Sequence, residues 1–149
     1  MNPAANTSQL DPGVILAKAT IRAAAQLGLT SAALSRVTGL SVSSITRVSS
    51  GGRPIMPDTK EGELAALLVQ VFDGLEAMIG DDEKHRIGWL TSHNESLNGV
   101  PKDLIQSVRG LVRVCDFLDK TRNAYQPAKH PNTAEKPSNG NGASTALLI

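Results

Sequence analysis

The chain has 149 residues, enough for one compact domain or two very small ones, and 40% of them are hydrophobic, which excludes a wholly unfolded chain. Aromatics make up only 3%, so the core must come from Leu, Val, Ile and Ala, a palette of packed helices, and the expected fold class is all-α. The net charge of +1 conceals a division: residues 1–55 carry a net +4 and residues 56–126 a net −4, so the front suits a polyanion and the back does not.

Residues 1–10 are polar and unpatterned, and are expected to form a flexible N-terminus. Asp11-Pro12 reads as a helix start, an N-cap oxygen followed by Pro at the first helical position. Val14, Ala17, Ile21 and Ala24 recur at helical spacing until Gly28 stops the helix. Thr30 or Ser31 caps a second helix over 32–38, which Gly39 breaks. Ser41 caps a third over 42–49, ending at Gly51-Gly52. Arg53-Pro54 and Met56-Pro57 mark a connection, so the expected domains are 11–55 and 58–125. Leu64, Leu67, Leu68, Val71, Phe72, Leu75 and Ile79 then form one continuous apolar stripe, wide enough to face a core. Gly80 ends that helix, and Asp81 or Asp82 caps a short one running to Leu90. A polar loop covers 91–100. Pro101 opens a further helical region in which Leu104, Ile105, Val108, Leu111, Val112, Cys115 and Leu118 fall mainly on one face, with Gly110 expected to kink or divide it. From Gln126 onward, Pro and Gly amid Asn, Ser and Lys predict a disordered tail, ending in an apolar cluster at 146–149.

Residues 34–51, LSRVTGLSVSSITRVSSG, satisfy the requirements of two helices joined by a tight turn. Gly39 accepts a left-handed backbone at the turn. Ser35 is the small residue four positions before it, and Leu34, Leu40, Ile45 and Val48 lock the pair. The outer face of the second helix offers Val42, Ser43, Ser44, Thr46 and Arg47 to a major groove. The pattern resembles the helix-turn-helix of phage repressors. It implies DNA contacts from Ser31, Arg36, Ser41, Val42, Ser43, Ser44, Thr46, Arg47 and Arg53. Arg47 is the side chain fitted to grip guanine, whereas Arg36 and Arg53 suit phosphates, which set register rather than sequence. One long cation per monomer gives modest affinity, so a homodimer is expected.

Further on, Trp89-Leu90, Asn94, a Leu97-x-Gly99-x-Pro101 turn, Gly110-Leu111, Val114 and Phe117-Leu118-Asp119 follow one another in an unusual order. This arrangement, with the helix-turn-helix before it, resembles the MbcA/ParS/Xre antitoxin family over residues 12–125. The resemblance implies a RES-domain toxin as partner, an enzyme of ADP-ribosyltransferase-like fold that consumes NAD. It also implies occlusion of that toxin's active site by the C-terminal module, autorepression through operator DNA, and a higher hetero-oligomer with the toxin. Candidate toxin contacts are Trp89, Asn94, Arg109, Arg113, Asp116, Asp119, Lys120 and Arg122, with the helix over 102–123 as the neutralising element and the cluster at 146–149 as its rival. Structural roles compete: Trp89 suits a core anchor, Asn94 a brace of the 91–100 loop, and Cys115 a small core residue.

Residue types for catalysis are wanting. Ser50-Gly51-Gly52-Arg53 lacks the Lys-Ser/Thr of a phosphate-cradling loop, and no Ser or Cys stands in a recognised nucleophile setting. Asp81-Asp82-Glu83 suits dipole compensation at a helix start. His85, His93 and His130 share no spacing for a metal, His85 pairing at most with Asp81. With one cysteine, no leader and no run of 18 apolar residues, a cytoplasmic, non-enzymatic protein without metal or cofactor is expected. The alternatives are a stand-alone helix-turn-helix regulator whose C-terminal helices only dimerise or sense a ligand, and a helical adaptor with no DNA role.

Overall fold

Most helix starts are written locally in this chain by a side-chain oxygen that takes up an N–H the helix leaves orphaned, the start at Pro101 being the exception. The computed structural model describes residues 11–125, so the expected flexible N-terminus and disordered tail lie outside it. The described residues form α1 (Pro12–Gln26), α2 (Ser31–Thr38), α3 (Val42–Ser49), α4 (Lys60–Ile79), α5 (Glu83–Thr91), α6 (Pro101–Leu104) and α7 (Val108–Tyr125). Asp11 accepts from the Gly13 N–H at 2.8 Å, Thr30 from Ala33 at 3.1 Å, Ser41 from Ser44 at 3.1 Å, Thr59 from Gly62 at 3.0 Å and Asp82 from His85 at 3.3 Å. Such a cap contributes about 1 kcal/mol. The fold is all-α, and the only extended pairing among the described residues is an isolated bridge between Asn94 and Gly99.

One apolar core runs through these helices. It takes Ala17 and Ala24 from α1, Leu34 and Val37 from α2, Ile45 and Val48 from α3, Leu68, Val71, Phe72 and Leu75 from α4, and Leu111, Val114 and Leu118 from α7. α4 is the common wall. It packs on α1, α2 and α5. Its other neighbour is α7: Cys115 donates its thiol to the Leu67 carbonyl at 3.3 Å, and a Cβ on Gly74 would stand 3.0 Å from that of Leu118. Leu68, Val71 and Leu75 are fully buried, each stabilising the fold by about 1.5–3 kcal/mol relative to exposure. The core is thus continuous across the Pro-rich connection at 53–58.

The helical region opened by Pro101 breaks earlier than its glycine suggested. α6 stops at Leu104, and α7 begins at Val108 with Ser107 accepting from the Gly110 N–H at 3.1 Å. Gly110 therefore lies in the first turn of α7 and does not kink it. Its role is close approach: a Cβ there would fall 1.9 Å from the Leu104 carbonyl oxygen, so only glycine lets the corner close. All the packing above lies within the described residues up to Asp119, and the described residues beyond it are the end of α7. Among the described residues no helix is long and apolar enough to cross a membrane.

Candidate DNA-reading helix and partner-binding face

α2 and α3 meet through the turn at Gly39, which takes φ +83°. Ser35, at the small-residue position, adds a bond across that turn by donating its hydroxyl to the Leu40 carbonyl at 2.6 Å. Ile45 and Val48 turn inward, leaving Val42, Ser43, Thr46 and Arg47 exposed on α3. Arg47 forms no ion pair among the described residues; His85 stands 2.8 Å from Asp82, so the partner of His85 is its helix cap and not Asp81.

Ser44 departs from the expected groove face. It is only 8% exposed and its hydroxyl accepts from Ser41 at 3.0 Å, because it stands one position before Ile45 and four before Val48, on the inner side of α3. Ser41 is the helix cap, and its hydroxyl also lies 3.2 Å from that of Ser43. Ser31 is exposed at the first position of α2. Arg36 is exposed too, but its Nε donates to Gln106 at 2.5 Å, tying α2 to the α6–α7 corner. Arg53 is half-buried in the connection after α3.

In the second half, Trp89 is half-buried and stacks on Phe117, ring centres 6.1 Å apart and planes 25° from parallel. It also borders an open, mostly apolar hollow of about 430 Å³ with Ile79, Lys84, His85, Gly88 and Ser92. Asn94 braces its loop: Oδ1 accepts from the Leu97 N–H at 3.0 Å, and its backbone pairs with Gly99. Arg113 donates to the Leu97 carbonyl and so holds the same loop against α7. Arg109, Asp116 and Asp119 are exposed along α7, and Lys120 and Arg122 are exposed on its continuation. Burial, with the carboxylates of Asp119 and Asp116 adding to it, pushes the Cys115 thiol from 9.0 up to about 11.

Two features depart from what the sequence pattern predicts. Val108 and Val112, assigned to the inner face, are 56% and 40% exposed. Val108 is the first residue past the corner, and Val112 lies one position beyond buried Leu111, about 100° round the helix. The other is Arg86, 2% exposed in the core. Its Nη2 donates to Gln26 at 2.6 Å and its Nη1 to the Gly80 carbonyl at 3.0 Å. Its guanidinium and that of Arg22 each sit 5.6 Å from the Phe72 ring centre.

Fold and surfaces together define a helix-turn-helix protein with a second helical module built onto the same core. Two family models match it: the antitoxin Xre-like helix-turn-helix domain over residues 9–70, and the antitoxin Xre/MbcA/ParS C-terminal toxin-binding domain over residues 74–123. The chain belongs to the Xre/MbcA/ParS antitoxin family, and it is the antitoxin member of a toxin–antitoxin pair. No curated protein matches it closely enough to count as a relative.

Proposed function

We propose that the chain neutralises a RES-domain, NAD-consuming toxin by covering its active site with the module at 58–125, and represses its own operon as a homodimer through the helix-turn-helix at 11–55. The observation that supports this most is the outer face of α7. Val108 and Val112 stand uncovered one turn apart, within the match to the toxin-binding domain, with exposed Arg109 and Asp116 around them. Apolar side chains ringed by charges have the make-up of an interface core with its polar rim. The carboxylates of Asp116 and Asp119 suit a site shaped for the phosphates of NAD, while Arg109, Lys120 and Arg122 suit acids at the toxin's rim. The open side of Trp89 adds an aromatic anchor, whereas Asn94 and Arg113 act by holding their loop.

The test is growth rescue of cells that express the RES-domain toxin encoded beside this chain, with co-purification of the two. Val112→Asp places a charge on the exposed face without touching the core, and should abolish both. Deleting residues 127–149 should leave rescue intact. If Val112→Asp rescues like the parent, α7 is not the neutralising face. If the two proteins never co-purify, the chain is a stand-alone regulator. At the operator, Arg47→Ala should cost about 1–3 kcal/mol and relax sequence preference. Arg53→Ala should weaken binding to all sequences alike and flatten its salt dependence.

A further inference from the structure

We infer that α3 reads thymine methyl groups through Val42 and Thr46, beside a guanine gripped by Arg47. The inference rests on α3 being the helix that enters the major groove, and it names what that helix recognises there. The face looks polar in sequence, but its hydroxyl protons are already engaged. Ser41 accepts from the Ser44 N–H, donates to the Ser44 hydroxyl and lies 3.2 Å from that of Ser43, and Ser44 is itself buried. Thr46 turns its hydroxyl back along the helix, donating to the Val42 carbonyl at 3.2 Å. That leaves its methyl as the group with no polar task.

Val42 and Thr46 are four residues apart and so stand one above the other on the helix surface. Val42 is 48% exposed at the start of α3. In the major groove, thymine presents a C5 methyl, whereas adenine and cytosine present amino donors and guanine two acceptors. Valine has no polar group to offer any base edge, and a threonine whose proton is spent on the Val42 carbonyl has none left to donate to an acceptor, while the surface of both matches the methyl. Arg47, the next residue after Thr46, supplies a planar donor pair for guanine O6 and N7. The readout is therefore a short thymine-bearing step adjoining a G·C pair, and the serines hold the helix rather than read the bases.

The experiment uses the full chain and a pool of random-sequence duplexes. The enriched duplex is then synthesised with thymidine or with deoxyuridine, which differs only by the absent methyl, and binding is measured by fluorescence anisotropy at fixed salt. Losing each contacted methyl should weaken binding about fourfold, the effect of one buried carbon. Val42→Ala and Thr46→Ser should each erase the deoxyuridine penalty at one position. Both side chains are exposed, so folding is spared, and serine keeps the back-bond. Equal binding of the two duplexes, with Arg47→Ala still losing sequence preference, would overturn the inference and leave the helix-turn-helix reading standing. Enrichment of no sequence, with Arg47→Ala binding like the parent, would overturn both.

Discussion

Gln26→Ala tests how the core tolerates the Arg86 guanidinium. The group is 2% exposed and, among the described residues, has no carboxylate partner. Three weaker things hold it: the Gln26 side chain at 2.6 Å, the Gly80 carbonyl at 3.0 Å, and the Phe72 ring at 5.6 Å. Gly80 caps α4, so its carbonyl lies at the negative end of that helix's dipole, and a cation there can gain up to about 2 kcal/mol. A hydrogen bond to a charged group contributes about 1.5–3 kcal/mol, and its loss leaves a buried donor stranded. Nε of Arg86 already has no protein partner, so Nη2 would join it. Gln26→Ala should therefore lower stability by about 2–3 kcal/mol. Arg86→Met keeps the apolar stem and removes the charge that had to be dehydrated. It should cost less, under about 1 kcal/mol, because apolar replacement of buried charge is often near neutral. With Arg86 gone, Gln26 has nothing left to satisfy, so the double variant should match Arg86→Met alone. The assay is urea unfolding of the full chain, followed by helix circular dichroism and by Trp89 fluorescence, with the slope against urea checked for constancy. A Gln26→Ala loss below about 0.5 kcal/mol, or losses that add in the double variant, would refute this account.

Three further outcomes are expected. Gly110→Ala should cost about 3 kcal/mol or more, since the obstacle 1.9 Å away is backbone, while Gly88→Ala, with nothing within 4 Å, should stabilise α5 by about 0.5–1 kcal/mol; thermal melts of the two compare them directly. The Cys115 thiol, pushed up from 9.0 to about 11, favours the fold while protonated. Its contribution is therefore full below pH 9 and is lost as pH rises through 11, and a urea midpoint falling over that window in the parent but not in Cys115→Ala is the check. A fragment over 58–125 uncovers the side of α4 that meets α1 and α2, so it should bind a hydrophobic dye and unfold without cooperativity; a sharp urea transition would show that α4 does not need the front helices.

What the sequence disclosed was what lies within a few residues of its cause. Asp11, Thr30, Ser41 and Asp82 cap the helices they precede, because a cap and its N–H are two or three positions apart. The turn at Gly39 and the stripe of α4 are equally local patterns. Arg86 was opaque because its partner Gln26 stands sixty residues away and nothing near it in the chain marks a core position. Arg113 reads as a surface cation until α7 folds against the loop whose carbonyl it holds. Ser44 shows the limit on a short helix: eight residues give two turns, too few for periodicity to separate an inner serine from an outer one. Val108 and Val112 were misassigned because they flank Leu111 and Cys115 on one side, whereas buried Val114 on the other side centres the inner face away from them.

α4 serves two masters, with α1 and α2 on one side and α7 on another. A protease that nicks the exposed stretch after α5 frees α7 and bares Gly74 and its buried neighbours on the helix that props up the DNA-reading end. The helix-turn-helix end would then lose its support at the same time as α7 is lost. If the proposed function holds, the two duties share one lifetime, and cleavage after α5 should weaken toxin capture and operator binding together.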